Sequence, residues 1–336
     1  MHQDRILLAH GSGGTMMREL IEEVFVAGFD DDVLARMDDA GVAEFPGTRV
    51  ALSTDTYVVS PLFFPGGDIG RLAVCGTVND IATSGARPLY LSVGFVLEEG
   101  VEVDAVRRVL VSMRDAAAEA GVRIITGDTK VVEKGHGDGM YINTAGVGVV
   151  AEGLDLSGSH CQAGDVVLLS GTLGDHGIAV MSTREGLSFS TDIETDAAPL
   201  NRLVAAVLDA APDTRCFRDP TRGGLASTLN ELADASRVCI TVEEGLVPVH
   251  EQVRGACEML GYDVFQVANE GKMVAVVPSE QAEAALGAMK SAPYGAEAAA
   301  IGTVADGPAG KVYVKTLFGA TRIMDMLVGE QLPRIC

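Results

Sequence analysis

Apolar positions recur at two periods along this chain, and the alternation between them outlines its elements. Leu20, Val24 and Ala27 fall at helical spacing within Met16–Phe29. Val74, Val78 and Ile81 do the same within Leu72–Thr83, and Val106, Val109, Leu110, Met113 and Ala117 mark an amphipathic helix over Asp104–Ala120. Strands are predicted where apolar runs are short: RVALSTD ending at Asp55, PLYLSVGFVL from Pro88, VRIITGD ending at Asp128, and MYINTAGVGVV from Met140. After Glu152 a polar, turn-rich stretch (GLDLSGSHCQAGD) intervenes, and the pattern then restarts. It predicts strands at DVVLLSG, VCITVEE, KMVAVVP, Ala299–Val304 and Lys311–Lys315. Helices are expected from Gly174 and over Leu200–Ala211, Gly223–Ser236, His250–Leu260 and Glu280–Lys290. The last twenty residues hold one helix-like apolar stretch, Ile323–Val328, and then a tail.

Strands and helices mix in both halves, so the fold class is α+β with mixed α/β character. Four segments are expected: an N-terminal glycine-rich loop and helix (1–40), two domains (41–153 and 154–316), and a C-terminal tail (317–336). The core must be aliphatic, because the 336 residues include no Trp and 40 Gly. A net charge of −22 argues against nucleic acid as a partner. No apolar run approaches a membrane span, the N-terminus lacks the features of a signal peptide, and six irregularly spaced cysteines without a CxxC point to a reducing cytoplasm.

The candidate chemistry collects where apolar runs stop at a small polar residue followed by an acid: Asp55 (LSTD), Asp80 (TVND), Asp128 (ITGD) and Glu270 (VANE). Singly, each reads as a turn or cap acid. Together, drawn from both halves, they equally suit a hard cation such as Mg²⁺ beside a phosphate. The loop His10–Thr15, with Gly11, Ser12, Gly13 and Gly14, runs into a helix and offers backbone N–H groups to an anion. RDPTRGGL places two glycines and Arg222, a bidentate phosphate donor, at another helix start. Lys130, Glu133, Lys134 and His136 follow Asp128, in what could equally be a solvated hairpin. Cys336, the final residue, should be exposed and not part of the core.

Taken in order, HGSGG, STD, VNDIATSGARP, TGDTKVV, SGTLGDHG, RDPTRGGL, ANEG and the terminal PRIC resemble the hydrogenase maturation family HypE, within the aminoimidazole-ribonucleotide synthetase (PurM-like) superfamily. The internal motifs are common to that superfamily, and PRIC narrows the resemblance. It implies a PurM-like two-domain fold with a mobile tail, and a homodimer formed through the N-terminal sheets. It implies an ATP-dependent enzyme that receives a carbamoyl group on Cys336 from a HypF-type carbamoyltransferase. That group is dehydrated to a thiocyanate, and the resulting cyanide reaches hydrogenase iron through a HypC–HypD complex. By motif, Asp55, Asn79, Asp80, Asp128, Arg222 and the glycine loop would handle ATP, with Asp55, Asp80, Asp128 and Glu270 holding Mg²⁺. Some of these acids could instead bind the nucleotide or serve as base. Lys130 and Glu270 are candidates for contacting the thiocarbamate, with His136 a rival base. Two other readings remain: another PurM-like ATP user, such as a thiamine-phosphate kinase or selenophosphate synthetase, and a non-catalytic carrier whose tail ferries a ligand. Neither kinase nor synthetase accounts for PRIC.

Overall fold

The computed structural model describes residues 14–26, 34–184, 193–327, 332 and 334–336. Two sheets organise it. The first has five strands, β1 (Gly41–Phe45), β2 (Thr48–Tyr57), β5 (Arg87–Glu98), β6 (Arg123–Val132) and β7 (Met140–Val150), in the order β1-β2-β7-β5-β6. Only β5 and β6 run parallel. The short hairpin between β3 (Phe63–Phe64) and β4 (Gly67–Asp68) stands apart from it.

β7 alternates strictly between buried and half-buried residues, as a strand with one face on a core must. That face is covered by α2 (Ile69–Thr83), which packs on β2 and β7 beside α3 (Val103–Ala120). Asp68 caps α2, its carboxylate accepting from Gly70 N at 2.7 Å and Arg71 N at 3.0 Å. Nearly every residue of α2 is buried, which fixes Asp80 near its C-terminal end against β2. Gly121, at φ 75°, ends α3 in the left-handed conformation.

The second sheet runs β14 (Thr321–Ile323), β13 (Lys311–Lys315), β10 (Cys239–Glu243), β12 (Ala299–Ala305), β8 (Val166–Leu169), β11 (Val274–Val277) and β9 (Cys216–Arg218). Its central strands read as continuous apolar runs because both faces are covered. Val167, Leu169, Val274 and Val276 pack with α6 (Gly224–Ser236). Leu168, Ala275 and Val277 pack on the other side with α5 (Asn201–Ala210) and α8 (Ala282–Ser291). The remaining helices are α1 (Thr15–Leu20), α4 (Asp175–Arg184) and α7 (Glu251–Leu260).

Several elements differ from the sequence reading. Where the helix expected over Met16–Phe29 is described, it is a short α-helix, Thr15–Leu20, followed by a π-helix over Ile21–Val26; residues 27–29 lie outside the described residues. Of Ile323–Val328, the described residues Ile323–Leu327 are not helical and Val328 lies outside them: Thr321–Ile323 adds to the edge of the second sheet, and Met324 N bonds to Val312 O. β6 continues past Asp128 to Val132. The strands β1 and β9 and the β3–β4 hairpin had no periodic signal, being too short or too mixed to show one. The largest correction is at the C-terminus. Ile335 and Cys336 are 3% and 7% exposed and belong to the core cluster formed with Tyr57 and α2.

Candidate active site

The tail reaches that core by adding to the chain beyond β2. Val58 N donates to Cys336 O at 3.0 Å and Ser60 N to Arg334 O at 3.3 Å, two bonds at strand spacing. Arg184, at the end of α4, donates to both Ser60 O (2.6 Å) and Arg334 O (2.8 Å), clamping the pair. His176 Nε2 lies 2.8 Å from Ile335 O and Nδ1 lies 2.7 Å from Thr195 Oγ1. A carbonyl only accepts, so Nε2 carries the proton and Nδ1 accepts from the Thr195 hydroxyl. Burial holds the His176 pKa below its ordinary value, consistent with that neutral tautomer. The edge of the Phe64 ring packs on His176, centroids 5.6 Å apart, and Arg334 pairs with Asp138. Each of the last three described residues therefore has its carbonyl bonded.

This places the Cys336 thiol 3.6 Å from Arg222 Nη1. Arg222 ends the turn between β9 and α6, which Gly223 and Gly224 make possible by taking φ of 75° and 59°. A Cβ on Gly224 would meet backbone oxygens of Phe265 and Val267 at 2.6 Å, so the turn sits flush against the ANEG loop. Burial pushes the Cys336 thiol up to about 12, with Glu270 and Asp55 adding to the shift and Arg222 opposing it. Arg222 in turn is raised, chiefly by the facing Cys336 and by Asp55 and Glu270, despite its burial.

Around this pair stands a set of acids short of counter-charge. Glu270 is 4% exposed, and its Oε1 has no hydrogen-bond partner among the described residues. Burial raises its pKa well above the ordinary range, and the fields of Asp55, Asp219 and Asp196 add to this. Asp80 is raised in the same way, by burial and then by Asp219, Asp55 and Asp39, although Ser53 Oγ donates to it at 2.7 Å. Asp219 is raised to about 6, first by burial. Asp39 Oδ1 pairs with Arg218 at 2.8 Å, while its Oδ2 is buried without a hydrogen-bond partner among the described residues. Asp55 accepts from Thr56 N and from the buried Tyr57 hydroxyl at 2.8 Å. Carboxylates that raise one another's pKa and leave buried oxygens unbonded fit a hard cation with oxygen ligands. Among the described residues no three acidic, histidine or cysteine groups are already drawn together around one point.

The ANEG loop is fixed from behind. Asp196 Oδ1 accepts from Glu270 N at 3.0 Å, and its other oxygen lies 3.1 Å from Lys272 Nζ. A Cβ on Gly271 would fall 1.7 Å from Asp196 O, so only glycine admits this strap. Asn79 also serves the strap: its amide donates to Ala198 O at 3.0 Å and accepts from Leu200 N at 2.7 Å.

The sequence candidates thus divide. Cys336, Glu270, Arg222, Asp55 and Asp80 come together, while Asn79 lies beside them with its amide committed to backbone. Asp128 and Lys130 do not reach Cys336 within one chain. They pair with each other at 2.6 Å on exposed β6. Asp55 pairs with Thr144, Thr144 with Val93 and Val93 with Gly127, so Asp128 lies three strands away, roughly 14 Å across the sheet. His136 is exposed in the hairpin whose Asp138 meets Arg334. Gly11, Ser12 and Gly13 lie outside the described residues, and Gly14 packs on Leu327. Sequence reasoning missed Asp39, His176, Arg184, Asp196 and Asp219. Asp219 and His176 stood inside quoted motifs, RDPTRGGL and SGTLGDHG.

Two α/β halves with acids gathered between a glycine turn and a buried loop define the class. The chain belongs to the AIR synthase related proteins, whose N-terminal domain matches residues 37–150 and whose C-terminal domain matches residues 162–315. Within that class it belongs to the HypE family of hydrogenase maturation. It is 54% identical to carbamoyl dehydratase HypE of Azotobacter vinelandii over 329 residues, covering 98% of this chain and 96% of that protein. It superimposes on HypE in a HypE–HypF complex with a TM-score of 0.87 at 49% identity, covering 92% of this chain and 99% of that one. It also matches a HypE solved in complex with ATP, with a TM-score of 0.84 at 48% identity, covering 99% and 100%.

Proposed function

We infer that this chain is an ATP-using carbamoyl dehydratase that converts a carbamoyl group on Cys336 into a thiocyanate for hydrogenase maturation. The observation that carries this reading is the delivery of the terminal thiol to Arg222, 3.6 Å away, in the field of the buried Glu270, whose Oε1 has no hydrogen-bond partner among the described residues. A thiocarbamate on Cys336 has a carbonyl oxygen that leaves poorly. Phosphorylation of that oxygen by the terminal phosphate of ATP makes it a leaving group. One N–H proton leaves as the oxygen is phosphorylated, giving an imino-phosphate, and removal of the second N–H proton by Glu270 then expels phosphate and forms C≡N. Burial raises the Glu270 carboxyl's pKa and so makes its ionised form a stronger base. Arg222 supplies positive charge where oxyanion charge develops. Asp55, Asp80, Asp219 and Asp39 would hold Mg²⁺, which would neutralise the nucleotide's phosphates.

A thiol pushed up to about 12 is a poor nucleophile, so the inward pose suits a cysteine that is already loaded. Loading by a HypF-type carbamoyltransferase then needs the tail outside, as does transfer of the nitrile to a HypC–HypD complex. The tail has two positions. Asp128 and Lys130, remote in one chain, would enter a site only across a homodimer. β6 is the edge of its sheet and exposes Ile125 and Val131 at 55% and 69%, with Leu52 at 53% on β2, a surface suited to a second copy. Lys130 would then steady the carbamoyl oxygen. His136 remains a rival base on the same reasoning. Cytoplasmic location accords with the six free cysteines, and no described helix is long and apolar enough to cross a membrane. Phosphate release from ATP, measured with free and with carbamoylated Cys336, tests the reading. Release should depend on the carbamoyl group, and equal release would reject it.

A further inference from the structure

Away from this site, Cys161 Sγ and Cys216 Sγ lie 3.7 Å apart in the core of the second sheet, both as free thiols. A disulfide holds its sulfurs at about 2.05 Å, so closure requires an approach of about 1.7 Å. Cys161 lies in no helix or strand, within the linking segment after β7, and is tied there by a bond from its N–H to Ser236 Oγ at 3.0 Å. A side-chain rotation at Cys161 therefore disturbs no helix or strand. Cys161 also lines a cavity of about 420 Å³, with Asp155, His160, Gln162 and Arg215. That volume admits a small oxidant to a sulfur otherwise 4% exposed.

We propose that Cys161 and Cys216 form a peroxide-sensitive modification site that closes to a reversible disulfide. The Cys161 sulfur attacks the O–O bond, forming a sulfenic acid and releasing one water once protonated. Cys216 then attacks that sulfur, its proton leaving with the hydroxyl as a second water. One peroxide is reduced by two electrons and two thiols are oxidised to one S–S bond. The order follows from the hydrogen bond between the thiols, which lowers the Cys161 pKa and raises that of Cys216. Cys216 begins β9, two residues before Arg218, which holds Asp39, so the new bond would bear on the strand leading into the Arg222 turn.

The test treats the full chain with hydrogen peroxide at low molar excess, then alkylates under denaturing conditions and maps peptides without reduction. The expected result is a linked pair of peptides carrying Cys161 and Cys216, two thiols lost from six, and recovery of both with dithiothreitol. In Cys216→Ser, Cys161 should instead accumulate as a sulfenic acid trapped by dimedone. Retention of all six thiols, a link between other cysteines, or no dimedone adduct on Cys161 in that variant would each overturn the proposal, leaving two cysteines that merely fill space.

Discussion

His176→Ala should release the tail without removing any acid or Arg222. The substitution deletes the Nε2 donor to Ile335 O and leaves that carbonyl buried, since Ile335 is 3% exposed. A lost hydrogen bond with an unsatisfied partner costs about 2 kcal/mol. The inward tail stands close to balance. Its backbone bonds, the Arg184 clamp and the burial of Ile335 together contribute about 7–8 kcal/mol. Ordering the residues from Leu332 onward costs about 7 kcal/mol. A 2 kcal/mol loss therefore moves the equilibrium by about 30-fold. The assay is alkylation of Cys336 by iodoacetamide, followed peptide by peptide; the other five cysteines are all buried and serve as internal controls. Because the inward tail is so nearly balanced, that shift takes the outward fraction from under half to nearly all, and Cys336 should label about two- to five-fold faster in the variant, approaching the rate of a free tail. His176→Gln, which keeps a donor, should lie between. An unchanged rate in His176→Ala, with unfolding unaltered, would show that the histidine does not hold the tail.

Further outcomes follow from the same geometry. Because the inward Cys336 thiol is pushed up to about 12 from 9.0, the inward position keeps its full strength below pH 9 and weakens between pH 9 and 12. The free tail ionises first in that window, at about 1.4 kcal/mol per pH unit, and the Ile335 methyl signal in NMR should report its departure. With Asp219 raised to about 6, and Asp80 and Glu270 also raised, protons compete with a cation. Mg²⁺–ATP affinity should thus rise from pH 5 to pH 8, with calorimetric heats that depend on buffer ionisation. Asp80→Asn should weaken that affinity by about 1.5–3 kcal/mol while preserving the fold. Arg222→Ala should slow dehydration on the order of 100-fold in single-turnover assays while leaving carbamoyl loading intact.

Asp55, Asp80 and Glu270 were legible because an acid that ends an apolar element is carried by that element into the place where elements meet. Asp39 and Asp219 were not singled out, since an acid beside another acid or before a proline reads as a turn. His176 was hidden for a different reason: GDHG was legible as a helix start, but nothing local reveals that this helix faces the chain's own end. The strand β9 spans only three residues, too few for any period to register. Only the exposure of Cys336 was misjudged, on a general expectation about termini; Leu332 and Ile335 were legible as apolar anchors, and they dock the tail. Asp128 ends an apolar run in sequence just as Asp55 and Asp80 do. Only strand order separates them.

The central claim is that Cys336 carries the group on which the site acts. Intact-mass and peptide mass spectrometry, after incubation with a HypF-type carbamoyltransferase, carbamoyl phosphate and ATP, test it directly. The expected result is a carbamoyl adduct on the Cys336 peptide that then loses the mass of one water, and no adduct in Cys336→Ala although that variant still binds ATP. An adduct on Cys75, Cys161, Cys216, Cys239 or Cys257, or an undiminished one in Cys336→Ala, would contradict it.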